Sequence, residues 1–205
     1  MENLGKKSTS ELTRLIASKA PAPGGGGACA LVGALASSLG AMVGIYSLGK
    51  KKDQKREDEL QELLHEAEDL RVRFLDLMDK DAESFIPLSQ AYGIPKEDPN
   101  RAAILEACLR EAAKPPLEIF HLTCRTIELL EDFAKKGSAI MVSDAATGAA
   151  FAQGALKGAA INVKVNTHLM KDRTYAKKIE DELDLSLETY SKRAEEVFLS
   201  LWKKY

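Results

Sequence analysis

The chain has 205 residues, 29 Lys plus Arg against 31 Asp plus Glu, and a formal net charge of −2. That length can bury one sizeable core without disulfides or metals, and the near-balance of charge excludes a general attraction to nucleic acid or to an anionic lipid surface. Its three cysteines, Cys29, Cys108 and Cys124, are odd in number and form no C-x-x-C pair, which argues for reduced thiols and a cytoplasmic setting.

The hydrophobic periodicity predicts helix nearly throughout and no alternating strand run. The expected class is all-α: a multi-helix bundle in a single domain over residues 1–205, with two Gly/Ala-rich central helices and one long amphipathic helix. Ser8 followed by Glu11 has capping-box spacing and predicts a short helix to about Lys19, which Pro21 and Pro23 then stop. The N-terminus carries no apolar stretch leading to a small-residue cleavage site, so no secretory signal is expected.

Residues 21–49, PAPGGGGACALVGALASSLGAMVGIYSLG, run 29 residues without a charge before Lys50, Lys51 and Lys52. The length permits a membrane span, but the Pro-Gly end forms helix poorly and no second uncharged segment accompanies it. A buried core helix, with no membrane partner, is the expectation. The phosphate-loop pattern G-x-x-x-x-G-K-[ST] is absent, and the G-x-G-x-x-A match at Gly25, Gly27 and Ala30 follows no strand. Ala36, Gly40 and Gly44 form a bare i+4 ridge for close helix packing. The loop Gly24, Gly25, Gly26 and Gly27 is a different matter. Four consecutive glycines cost ordering entropy, and the usual return is backbone amides brought close to a ligand or another chain.

A long amphipathic helix is expected from about Asp53 to Tyr92, ended by a left-handed cap at Gly93 and by Pro95. Leu60, Ala67, Phe74, Asp81 and Leu88 recur every seven residues, with Leu63, Leu70, Leu77 and Ser84 as the companion row, so Asp81 falls on an apolar seam. A carboxyl group there is paired, hydrogen-bonded or neutralised. Burial raises its pKa toward the range in which it exchanges protons near neutral pH. A register-fixing role, or a partner for a neighbouring Arg, is the alternative. Asp98 and Pro99 read as N-cap and first residue of the next helix. Pro115 and Pro116 divide that helix from one over Leu117 to Lys136, and Gly137 closes the latter.

A second small-residue helix is expected from about Ala145 to Thr167, with Ala146, Ala150, Gly154 and Gly158 on one ridge that continues into Asn162 and Asn166. Ser143 and Asp144 stand where it begins, and Asp144 either caps it or serves a site. Asn162 and Asn166 can present two amides to a heterocycle or satisfy backbone groups. An amphipathic helix from about Asp172 ends the chain. His65, His121 and His168 show no ligand spacing, so no metal site is expected, and no G-x-S-x-G motif marks a serine nucleophile.

Three segments carry a family resemblance: PAPGGGGACALVGALASSLGAMV, LMDKDAESFIPLSQAYGIPK with its Asp-Ala-x-x-Phe, and SDAATGAAFAQGALKGAAINVKVN with its Ser-Asp and Asn-Val-x-x-Asn. In this order they resemble the cyclodeaminase/cyclohydrolase family, the C-terminal half of formiminotransferase-cyclodeaminase and its free-standing bacterial relatives. The chain departs from the family pattern at Ile94-Pro95-Lys96, at Gly27 where a Ser is common, and at Thr167 and His168. The resemblance implies an all-helical homodimer that acts on a tetrahydrofolate derivative and needs no cofactor beyond that substrate. It implies closure of 5-formiminotetrahydrofolate to 5,10-methenyltetrahydrofolate with loss of ammonia, or alternatively methenyltetrahydrofolate cyclohydrolase activity. It places Asp81 as the acid/base carboxylate and Asp144 as a second catalytic candidate. Ser143, Asn162, Asn166 and the glycine loop then contact substrate, and Lys50 and Lys51 hold its glutamate tail. Outside enzymology, the competing reading is a non-catalytic helical scaffold or membrane-associated oligomer that uses the small-residue ridges only for assembly.

Overall fold

A computed structural model describes residues 3–50 and 53–204. After a short 3-10 turn at Leu4–Lys6 come α1 (Thr9–Ile16), α2 (Gly25–Ile45), α3 (Gln54–Ala91), α4 (Arg101–Lys136), α5 (Val142–Leu169) and α6 (Arg173–Trp202), with no strand among the described residues. The all-α class is therefore borne out. The capping box forms as its spacing implies: Glu11 N–H donates to Ser8 Oγ and Ser8 N–H to Glu11 Oε2. The helix stops at Ile16, short of Lys19.

The two small-residue helices are central. Gly25 lies against Asn162, Cys29 against Gly158, and the Ala36 carbonyl against Gly148, so α2 and α5 run antiparallel. Their flanks are covered by α3 on one side and α6 on the other, and α4 packs against all four. The ridge Gly40 and Gly44 is bare because Phe133 of α4 fills it, just as Phe74 of α3 fills the space at Gly33. Both phenylalanines are fully buried. The α5 ridge is used differently: a Cβ at Gly154 would meet nothing within 4 Å. Among the described residues one helix, Gly25–Ile45, is long and apolar enough to cross a membrane by length and composition; here it is enclosed on three sides by α3, α4 and α5.

Leu60, Ala67, Phe74 and Leu88 on α3 are all buried, as are Leu63, Leu70 and Leu77, so the seven-residue seam is the packing face of this helix. A buried cross-link holds α3 to α2: Ser37 Oγ donates to the Ala67 carbonyl at 2.7 Å. Removing it in Ser37→Ala should cost about 1–2 kcal/mol. That would appear as a lower denaturation midpoint with an unchanged slope in a urea titration.

Four expectations need correction. Pro115 and Pro116 do not divide a helix; α4 runs through both. The pair removes two N–H donors, but both rings are buried along with Ala112, Ala113, Ile119 and Phe120, and burial of that face outweighs the lost bonds. Asp98 does not cap α4, because its carboxylate accepts from Asn100 N–H and so tightens the preceding turn; Asn100 is the N-cap. Gly93 is not left-handed. Among the described residues the only glycine at positive φ is Gly49, at 68° in the α2–α3 turn, a conformation that favours glycine on steric grounds. Finally, Met141 rather than Ser143 or Asp144 is the N-cap of α5, and no side chain caps it.

Candidate functional site

The amides of Gly25, Gly26 and Gly27 open α2, whose first closed backbone bond runs from Ala28 N–H to the Gly24 carbonyl. These three donors are therefore free of intrahelical partners. Two of the glycines are bare for a visible reason. A Cβ on Gly26 would overlap the Asp81 carboxyl group, and one on Gly25 would lie 3.0 Å from Asn162 Nδ2. The glycine loop is thus the surface across which Asp81 of α3 and Asn162 of α5 are brought to the α2 N-terminus.

A cavity of about 200 Å³ opens there. Asp81, Asn162 and Asn166 line it together with Gly24, Gly25 and Gly26; Phe85, Pro116, Ala112 and Val165 give it an apolar wall, and Pro21 and Ala22 close its edge. Asp81 is half-buried. Burial pushes its carboxyl up to about 6, against the opposing pull of a hydrogen bond from Gly27 N–H. Both protonation states are then populated near neutral pH, the condition for a proton-transfer group. Cys29 faces the same region, but burial first and the Asp81 charge second push its thiol up to about 11. It is therefore a neutral thiol, poorly suited to nucleophilic attack.

The other expected site residues lie elsewhere in the chain. Asp144 and Ser143 occupy the first turn of α5, about 27 Å along that helix from Asn162. Lys50 is exposed beyond the C-terminal end of α2, at the same far end of the antiparallel pair. Lys51 lies outside the described residues. One chain therefore joins Asp81, Asn162, Asn166 and Gly24 to Gly27, and separates them from Lys50, Ser143 and Asp144. Phe85 and Pro116 are additions from the structure. Phe85 stands one turn beyond Asp81, so its spacing carried a signal; Pro116 carried only that of a helix breaker.

A wider groove of about 620 Å³ between α5 and α6 adjoins the cavity at Val165. Its Lys164, Arg173 and Lys177 pair with Asp184, Glu180 and Asp181, so these cations are compensated. Among the described residues, no group of three or more His, Cys, Asp or Glu side chains is placed to hold a metal ion.

The profile of the family described as formiminotransferase-cyclodeaminase matches residues 8–185. Methenyltetrahydrofolate cyclohydrolase of Methylorubrum extorquens is 37% identical over 173 residues, which covers 82% of this chain and 83% of that protein. Formimidoyltransferase-cyclodeaminase of Mus musculus is 27% identical over 192 residues, 92% of this chain but 36% of the mouse protein, so the chain spans about a third of that longer relative. The crystal structure of formiminotetrahydrofolate cyclodeaminase from Thermotoga maritima superposes with a TM-score of 0.84 at 25% identity, covering 96% of this chain and 98% of the other.

Proposed function

This chain belongs to the formiminotransferase-cyclodeaminase family, and from that premise we propose that it closes 5-formiminotetrahydrofolate to 5,10-methenyltetrahydrofolate with release of ammonia. The observation that carries the reading is Asp81, a half-buried carboxyl group raised to about 6, set in a cavity against the glycine loop. N10 of the folate attacks the formimino carbon and forms the second C–N bond. The formimino nitrogen enters protonated, as an amidinium; Asp81 takes the N10 proton and passes it to that nitrogen, whose bond to carbon then breaks so that neutral ammonia leaves and the positive charge stays on the methenyl product. Asn162 and Asn166 position the reacting end of the substrate. A second reading, methenyltetrahydrofolate cyclohydrolase, is favoured by the 37% identical relative of that name; there water adds to the methenyl carbon with Asp81 as base. Ultraviolet assay of methenyl-folate gain from the formimino substrate, and of its loss in water, separates the two. Neither activity would leave only the scaffold reading.

We further propose that the working unit is a homodimer whose site spans two chains. Sites for ligands of drug-like size commonly occupy about 300–1,000 Å³, more than this cavity alone provides. Leu35, Met42 and Ile45 of α2, with its C-cap Tyr46, form an exposed apolar stripe, and Phe151 on α5 is exposed as well. A two-fold axis across this face would lay the far end of one antiparallel pair on the near end of the other. Ser143 and Asp144 of the second copy would then meet Asp81, and its Lys50 would reach the glutamate tail. In Leu35→Glu, sedimentation should show a monomer that keeps its helical circular dichroism and loses turnover by at least about tenfold. A fully active monomer would refute the shared site.

A further inference from the structure

Asn162 and Asn166, one turn apart on α5, both use their amide NH2 groups on backbone carbonyls. Asn162 Nδ2 donates to the Gly158 carbonyl at 2.7 Å. Asn166 Nδ2 donates to the Asn162 carbonyl at 3.0 Å and to the Ala112 carbonyl at 3.2 Å. A carbonyl can only accept, so these bonds fix which end of each amide is which. Each Oδ1 is left without a partner among the described residues, on side chains that line the cavity with Asp81. Asn162 and Asp81 lie across successive glycines of α2, whose Cα atoms are about 3.8 Å apart. The site therefore offers three oxygen acceptors within a small space.

The Ala112 carbonyl is available because of Pro116. In an uninterrupted helix the N–H four residues on would occupy it; proline has none, and Asn166 takes the vacancy from α5. Pro116 and Ala112 both face the cavity.

We propose that Asn162 Oδ1, Asn166 Oδ1 and the Asp81 carboxylate form an acceptor subsite for the departing nitrogen, ammonia or ammonium, and that Pro116 positions Asn166 in it by exposing the Ala112 carbonyl. The assignment rests on the cyclodeaminase reading. Ammonium carries four N–H donors and can satisfy all three acceptors at once, whereas water has two O–H donors and leaves one unmatched. In the reaction, the departing nitrogen already carries two hydrogens and receives its third from Asp81, so it enters the subsite as ammonia with one N–H donor for each of the three acceptors.

The test is product inhibition by ammonium chloride at constant ionic strength, read on the initial rate of methenyl-folate formation. In Asn166→Leu the inhibition constant for ammonium should rise about tenfold or more and kcat should fall about 10–100-fold, the range for one hydrogen bond to a charged group. The KM for the folate should stay within about threefold, because the contact is made to the leaving group. Pro116→Ala should weaken ammonium inhibition in the same direction while its Tm holds or rises, since the restored N–H recaptures the Ala112 carbonyl; a merely structural proline would not lower kcat while helix stability improves. Unchanged ammonium inhibition in Asn166→Leu, or a raised KM with intact kcat, would overturn the subsite while leaving the reaction in place. A wild-type protein that hydrolyses methenyl-folate but releases no ammonia from the formimino substrate would overturn the reaction reading, and the subsite with it.

Discussion

Asp81→Asn is expected to lose turnover by about 10²–10⁴-fold, the usual contribution of a positioned general acid–base group, and to be more stable than the wild-type protein at pH 7. The two effects have one cause. The Asp81 carboxyl is raised from 3.8 to about 6 by burial, so between those values the folded chain holds a proton that the unfolded chain has released. Stability then falls as pH rises through that window, because the unfolded state binds fewer protons. Above it, the ionised carboxylate remains a burden on the fold. Asparagine keeps the shape and removes the charge, which should return about 1–3 kcal/mol at pH 7 after allowance for partial solvent access. Below about pH 4 the two proteins should converge in stability. Urea titrations at pH 4 and pH 7, with turnover measured on the same samples, check both halves. A variant less stable than wild type at pH 7 would mean that Asp81 is a structural ion partner, and an active one would mean that the proton moves elsewhere.

The cost of burying a carboxylate is also what made Asp81 legible in the sequence. A carboxylate on a row otherwise occupied by Leu60, Ala67, Phe74 and Leu88 breaks the local pattern, and such breaks concentrate where function overrides packing. The glycine loop was legible for a related reason, since bare backbone implies close approach. What approached was not. Nothing in the order of residues says that Gly26 faces Asp81, Gly25 faces Asn162, and Gly40 and Gly44 face Phe133. Those pairings depend on how four helices pack, and small residues record that space is filled without recording by what. Pro115 and Pro116 misled because local propensity argues for a break, while the buried faces on either side of them hold α4 continuous. Asp144 and Lys50 show the limit most clearly. The family resemblance grouped them with Asp81, and the antiparallel pairing of α2 and α5 puts them at the opposite end of the helix pair within one chain; the proposed homodimer would reunite them.

Gly26→Ala provides the sharpest test of that close approach. The added methyl would overlap the Asp81 carboxyl, the movable end of a side chain, so the carboxyl should swing aside rather than the helix unfold. Glycine to alanine near the start of a helix otherwise tends to favour folding, through reduced freedom of the unfolded chain, and the net change in Tm should be small. Turnover should nevertheless fall by about 10²-fold, since a displacement of about 1 Å from productive geometry is enough for such a loss. The decisive measurement is the double variant with Asp81→Asn. If the methyl acts by displacing the carboxyl, it has little left to disturb once that group no longer carries protons, and the combined loss should match that of Asp81→Asn alone within about threefold. Independent roles would instead multiply the two losses. A multiplied loss would show that Gly26 serves substrate directly through its backbone, and the account in which the glycine loop exists to admit Asp81 would then fail.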